Sequence, residues 1–311
     1  MIATVTLNPS LDEWVELDAL RVGELNRASG FARYPGGKGI NVSRVVQELG
    51  GRTLAVGLAG GPDGRILSDL LEDHRIRHRF INVPGTTRNN YQLHAADGSL
   101  TQINCPGPRT PAAAMQRLTR ALQTISRQAK CVVFSGSLPP GAGDDAYRQL
   151  LRRVAGGQTL TVLDSSGVAL RAGLAGRPWL TKPNRPEAAE LVGERLETFQ
   201  AIERAARRLA ATVASVVIIS MGGEGALLAA DGGQTALMAA APTVRVHTTI
   251  GAGDSLVAGF VLGWLRTGSL EDALRLGIAC GSATAMTSGT ELCHRRDVQR
   301  LAPRVRIRSL S

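Results

Sequence analysis

Short apolar runs alternate along the chain with stretches in which apolar residues recur every three or four positions. The runs at 2–7, 53–59, 131–135, 159–164, 179–182 and 216–220 are too short for helices and rich in Val, Ile and Leu, so they read as buried strands. Helical spacing appears over 39–49, 63–73, 111–129, 143–155, 198–211, 252–266 and 270–287. Strand and helix in repetition predict an α/β fold, a mostly parallel sheet flanked by helices on both faces. Ligands of such sheets bind where the strands reach their carboxyl ends.

Two segments break the rhythm. Residues 12–34 and 86–104 alternate polar and apolar positions (Val15, Leu17; Tyr91, Leu93; Leu100, Ile103) and carry turn chemistry at Asp97 and Gly98. They predict short antiparallel strands outside the main layer, forming a small β-sheet lid above its carboxyl edge. No linker, repeat or low-complexity stretch divides residues 1–311, so we expect one domain with a lid.

Composition narrows the classes. Hydrophobic residues make up 43% and charged residues 20%, a folding composition that argues against wholesale disorder. Cys105, Cys131, Cys280 and Cys293 are far apart and form no C-x-x-C pair, so they read as reduced thiols rather than a zinc site. The start of the chain has acids at Asp12, Glu13 and Glu16, and no apolar run approaches 18 residues, which leads us to expect a cytoplasmic protein, not a membrane one. The net charge of +10 invites a nucleic-acid reading, but the 33 Arg and 3 Lys are scattered and only three Tyr and five Phe are available for stacking. An arginine-biased soluble surface accounts for the charge.

The chemistry-bearing motifs sit at predicted strand ends and helix starts. Thr248-Thr249-Ile250-Gly251-Ala252-Gly253-Asp254-Ser255 precedes an apolar helix; its glycines let main-chain N–H groups face a ligand beside the positive helix end, an anion pocket with a carboxylate next to it. A helix-capping Asp is the structural alternative. Pro35-Gly36-Gly37-Lys38-Gly39-Ile40-Asn41 opens another helix; it is not a Walker A loop, because position 32 is Ala and Lys38 is followed by Gly39. Lys38 stands out in a chain that otherwise uses arginine. In Lys182-Pro183-Asn184-Arg185-Pro186-Glu187 the Asn and Glu sit three apart at a helix start, which suits either Mg²⁺ bound through water or a capping box; spacing alone does not choose. Asn8 and Asp12, Thr87-Arg88-Asn89-Asn90, Gly136-Ser137 and Ser220-Met221-Gly222 also fall at strand ends; the Arg88 guanidinium suits a bidentate phosphate clamp, and a solvated surface arginine is the structural alternative. His74 and His78 lack a partnering glutamate and read as surface residues.

With these motifs in order, the chain resembles the ribokinase-like sugar kinases of the phosphofructokinase B family. Nine segments carry the likeness: TLNPSLD, PGGKGINVSRV, GLAGGPDG, TRNN, SGSLPPG, LDSSG, TKPNRPE, ISMGGEGAL and TIGAGDS. The resemblance implies a β-sheet lid, ATP as co-substrate and Mg²⁺ as cofactor. It implies Asp254 as catalytic base, with Gly251, Ala252 and Gly253 as the anion hole. It places the phosphosugar on Asp12, Gly36, Gly37, Lys38, Asn41, Arg88 and Ser137, and the nucleotide on Lys182, Asn184, Ser220, Gly222 and Gly225. Asn184 and Glu187 would organise Mg²⁺ through water, and Thr248, Ile250 and Thr284 a monovalent cation, K⁺. A homodimer joined through the lid is also implied.

The stretch GSATAMTSGTELCHRRDVQRL is similar to the minor type of 6-phosphofructokinase, so the expected reaction is phosphorylation of fructose 6-phosphate at its 1-hydroxyl. That type can carry Gly where this chain has Lys38, whereas 1-phosphofructokinases and tagatose-6-phosphate kinases commonly show GGKG or AGKG. These two kinases are the alternatives, and a non-catalytic sugar-phosphate sensor is the alternative from outside enzymology.

Overall fold

The computed structural model describes residues 1–154 and 158–310. The strands are β1 (Ile2–Thr6), β2 (Ser10–Leu17), β3 (Ala28–Gly36), β4 (Thr53–Ala59), β5 (His78–Asn82), β6 (Arg88–Ala95), β7 (Leu100–Asn104), β8 (Cys131–Ser135), β9 (Leu160–Asp164), β10 (Leu180–Thr181), β11 (Val216–Ser220), β12 (Ala226–Ala230), β13 (Thr235–Ala240) and β14 (Arg306–Ser309). The helices are α1 (Lys38–Glu48), α2 (Gly61–Asp73), α3 (Ala112–Ser126), α4 (Ala146–Val154), α5 (Gly167–Leu174), α6 (Arg185–Val192), α7 (Phe199–Thr212), α8 (Ala252–Thr267), α9 (Leu270–Ala285) and α10 (Arg295–Leu301). The helix expected at 143–155 begins at Ala146, and its last expected position lies outside the described residues.

Ten strands form the main sheet in the order β14-β13-β12-β11-β10-β9-β8-β1-β4-β5. From β11 to β5 every neighbouring pair is parallel, and the β12–β14 side is antiparallel. Continuous apolar runs form these strands because both faces are covered. In β8, Cys131 and Val133 pack with α1, α8 and α9, while Val132 and Phe134 pack with α3, α4 and α5. In β11, Val216 and Ile218 face that first helix layer, while Val217 and Ile219 meet α6 and α7.

Four strands of this architecture were not expected, nor were helices α5 and α10. The antiparallel strands β12 and β13 are alanine-rich, a weak strand signal that becomes sheet through the pairing of β12 with β11 and of β13 with β12. The edge strands β5 and β14 carry His78, Arg79, Arg306 and Arg308; charge on an edge discourages pairing with another chain, and it also hides the strand from an apolar-run search. His78, read as a surface residue, is therefore half-buried within an edge strand.

The second sheet has the order β3-β2-β6-β7. It joins the two segments singled out by their alternation, but its central pair, β2 with β6, is parallel, not antiparallel as expected. The register sets Ser10 beside Arg88 and Asp12 beside Asn90. Because β2 follows β1 after only Leu7, Asn8 and Pro9, the small sheet stands directly at the carboxyl edge of the main one. Among the described residues no helix is long and apolar enough to cross a membrane.

Candidate active site

A cleft of about 810 Å³ lies where the carboxyl ends of the parallel strands meet the small sheet. Asn8 follows β1, Gly136 and Ser137 follow β8, Ser166 follows β9, Lys182 follows β10 and Gly222 follows β11; all line it. Of the expected residues, Asp12, Gly37, Lys38, Asn41, Arg88, Ser137, Lys182, Asn184, Glu187, Ser220, Gly222, Gly225, Ile250, Gly251, Ala252, Gly253 and Asp254 share this cleft, although they span most of the chain. Three do not line it. Gly36 lies behind Asp12, and a Cβ there would fall on the Asp12 carboxylate, so the glycine makes room for that side chain. Thr248 is buried, its hydroxyl accepting from Ile250 N–H at 3.2 Å. Thr284 is buried too, its hydroxyl paired with Ser255 at 2.7 Å and accepting from Cys293 N–H at 3.0 Å.

Two helix starts converge on the cleft. Gly251, with φ 74°, turns the chain into α8, and Asp254 stands in its first turn. Asn41, in the first turn of α1, donates from Nδ2 to Asp254 Oδ2 at 2.8 Å. Asp254 is only 5% exposed, and burial, reinforced by the nearby Asp164 charge, pushes its carboxyl up to about 6 despite opposing help from Lys38, Asn41 and Lys182. A carboxyl poised near neutrality beside main-chain donors is able to take a proton while negative charge develops next to it.

The end of the cleft under the small sheet is polar. Asp12 accepts hydrogen bonds from Ser10 Oγ (2.8 Å) and Asn90 Nδ2 (3.1 Å), and burial raises its carboxyl above the ordinary value against those bonds and against the charges of Arg88 and Arg44. Arg88 is held by the carbonyls of Asn8 and Cys105, each at 3.1 Å. Asn8 Oδ1, Arg88 Nε, Asn90 Oδ1 and Gln92 Oε1 are buried without a partner in the protein, a set of unspent polar atoms suited to a hydroxyl-rich, anionic ligand. The other end is apolar: Ala241, Pro242, Val244, Val246, Leu256 and Ile278 line it beside the glycines after β11. The sequence reading missed that wall, which comes from a loop and two helix faces with no motif.

It also gave no role to Asp164. This carboxylate ends β9 and is 1% exposed, 3.5 Å from Lys182 Nζ and 3.9 Å from Lys38 Nζ. The two lysines hold its carboxyl below the ordinary value against the opposing effect of burial. Conversely, Asp164 raises Lys38 above its usual value. A lone acid closing the apolar run Leu160-Thr161-Val162-Leu163 was the available signal.

At α6, Asn184 Oδ1 accepts from Glu187 N–H at 2.8 Å and Glu187 Oε2 accepts from Asn184 N–H at 2.9 Å. The capping box is thus formed, and both residues still face the cleft. Among the described residues no cluster of three or more His, Cys, Asp or Glu could hold a metal ion.

A sheet-edge cleft, two converging helix starts and a buried carboxylate define a phosphoryl-transfer scaffold, and comparison with known proteins names its class. The sequence pattern of the pfkB family carbohydrate kinases matches residues 5–296. The chain belongs to that family of ATP-dependent sugar kinases. Among its relatives are the 1-phosphofructokinase of Bacillus subtilis, 36% identical over 310 residues and covering 100% of both chains, and that of Escherichia coli K12, 34% identical over 304 residues and covering 98% of this chain and 97% of the other. Escherichia coli phosphofructokinase-2, solved in complex with potassium, superposes with a TM-score of 0.92 at 32% identity over 97% of this chain and 98% of that one.

Proposed function

We propose that the protein is a 1-phosphofructokinase, transferring the γ-phosphoryl group of ATP to the 6-hydroxyl of fructose 1-phosphate. The observation that carries this reading is the full-length likeness to proteins named 1-phosphofructokinase. Lys38 supports it: the lysine stands where the 6-phosphofructokinase type can carry glycine, and it lines the cleft. The sequence reading favoured fructose 6-phosphate, and that preference gives way here. The two substrates carry phosphate at opposite ends of one ketose and yield the same bisphosphate, so likeness in one C-terminal stretch discriminates poorly between them.

In this reading Arg88 and the polar groups of the small sheet hold the substrate phosphate and the ring hydroxyls, with Asp12 and Asn41 as orienting acceptor and donor. Asp254 takes the proton of the attacking hydroxyl as its oxygen forms a bond to γ-phosphorus. The bond from γ-phosphorus to the bridging oxygen breaks, and ADP leaves with that electron pair. The N–H groups of the Gly251–Asp254 turn and the ammonium groups of Lys38 and Lys182 stabilise the charge spread over the transferring group. The apolar end of the cleft receives the adenine.

Asn184 and Glu187 fit a Mg²⁺ shared with the nucleotide, because the capping box leaves Glu187 Oε1 without a partner among the described residues and Mg²⁺ keeps most of its waters. When bound, that ion neutralises phosphate charge. The potassium complex of the Escherichia coli enzyme supports a monovalent cation near residues 248–250. We read the chain as one domain whose small sheet is the lid, with its exposed Phe31, Leu100 and Ile103 as the surface that pairs two copies.

A second reading, 6-phosphofructokinase, is favoured by the structural likeness to Escherichia coli phosphofructokinase-2 in complex with fructose-6-phosphate, 32% identical with a TM-score of 0.91. An ADP-release assay across fructose 1-phosphate, fructose 6-phosphate and tagatose 6-phosphate separates the kinases. The highest kcat/KM is expected with fructose 1-phosphate. A higher value with either other sugar overturns the substrate, and turnover of none of them supports a sensor.

A further inference from the structure

Lys38 opens α1, and Lys182 Nζ lies 3.3 Å from where a Cβ on Gly253 would stand, against the first turn of α8. The Lys182 ammonium therefore sits at a positive helix end, where a cation is electrostatically disfavoured, and Lys38 is the first residue of another helix. Lys182 is moreover 6% exposed, so water does little for it. Their common neighbour is Asp164, Oδ1 toward Lys182 and Oδ2 toward Lys38. Among the described residues Oδ1 is buried without a hydrogen bond, and Oδ2 receives only Ser135 Oγ, at 3.4 Å. The Asp164 carbonyl is tied in turn to Gly136 N–H at 3.0 Å, which fixes the carboxylate to the ends of two sheet strands. Asp254 meets its site differently. Among the described residues no cation lies within salt-bridge distance of it, and its hydrogen-bond donor is the neutral Asn41.

We propose that Asp164 is a positioning residue of the phosphoryl-transfer centre, holding the Lys38 and Lys182 ammonium groups with one carboxylate so that they face the phosphates and leave Asp254 free to act as base. The inference rests on the kinase reading and deepens it. Two cations and one buried anion leave a net positive charge for a polyanionic substrate. Without Asp164 the lysines would turn to the nearest remaining carboxylate, Asp254, and pair with the group that must accept the proton. Asp164 touches no reacting atom; it acts through the lysines.

The chain has only three lysines, and Lys130 is exposed, so selective ¹⁵Nζ-lysine labelling reads the arrangement without enzymatic activity. The unsubstituted protein should give a slowly exchanging ammonium signal from Lys182, and Asp164→Asn should lose it and shift the signal of half-exposed Lys38. In steady-state kinetics Asp164→Asn should lower kcat by about 10²-fold with each KM moving less than about threefold. In a double-mutant cycle, Asp164→Asn with Lys182→Met should lose little more than the worse single variant. Where Asp164→Asn alone does not fold, the same pair removes the stranded ammonium and should restore folding; failure to restore it counts against the proposal. Unchanged ammonium signals in Asp164→Asn, additive kinetic losses, or recovery of kcat by raised Mg²⁺, which would mark the carboxylate as a metal ligand, each overturn it. Absence of phosphosugar turnover in the unsubstituted protein instead counts against the kinase reading.

Discussion

The two ends of the cleft are built on opposite principles. Under the small sheet, buried polar atoms are left unpaired and a guanidinium is fixed by carbonyls, so recognition there relies on charge and hydrogen bonds. Beneath the β13–α8 loop the wall is apolar, and Val246 stands 59% exposed, so recognition relies on shape and on covering apolar surface. The polar end is specific and intolerant of change, because an unmatched buried donor loses its hydration without gaining a partner. The apolar end tolerates substitution and gives grip rather than choice. Between them lies Asp254, which belongs to neither kind: buried like the apolar wall, yet ionisable.

The largest break in this comparison comes at the junction. Asp254→Asn should reduce kcat by about 10²–10⁴-fold with little change in either KM, measured by ADP release; near-normal turnover would remove Asp254 from the role of base. At the polar end, Arg88→Ala should raise KM for the phosphosugar by about 10–100-fold and leave KM for ATP nearly unchanged, since a charge-assisted phosphate contact contributes about 1.5–3 kcal/mol. Equal effects on both substrates would show that the two ends are not independent. At the apolar end, Val246→Glu should raise KM for ATP by only about threefold to tenfold, with the phosphosugar KM unaffected.

Asp254 also sets the expected pH behaviour. Its carboxyl is held up to about 6 chiefly by burial, so kcat/KM should fall tenfold per pH unit below about 6 and level off above it. An acid limb that persists in Asp254→Asn would assign it to another group. For stability the sign is reversed. A carboxyl raised in the folded state binds its proton more tightly there than in the unfolded chain, so folding loses stability as pH rises from about 4 to about 6. The smallest predicted effect follows: Asp254→Asn should raise the unfolding temperature by a few degrees near pH 7, and the gain should vanish below about pH 4.

Much of the scaffold was legible in the chain before any coordinates. Strands such as 53–59, 131–135 and 216–220 declare themselves because both faces are buried and all but one position in each is apolar or glycine. The alternation over 12–34 and 86–104 announced a half-exposed sheet, and the glycine turns ahead of α1 and α8 announced helix starts that face a ligand cleft. The antiparallel strands at 226–240 were hidden because alanine runs carry little strand signal of their own.

What no reading of the chain supplied was proximity. Asp164 and Asp254 are the same residue type, each at an element boundary, yet two lysines hold one below its ordinary value while burial pushes the other up. Sequence determines which groups exist and which strand or helix end carries them, since local periodicity and turn chemistry act over a few residues. Burial and charge pairing act across the fold, between β9, β10 and the starts of α1 and α8. Only the tertiary arrangement therefore decided which carboxylate is raised toward neutrality and which one pairs with the lysines.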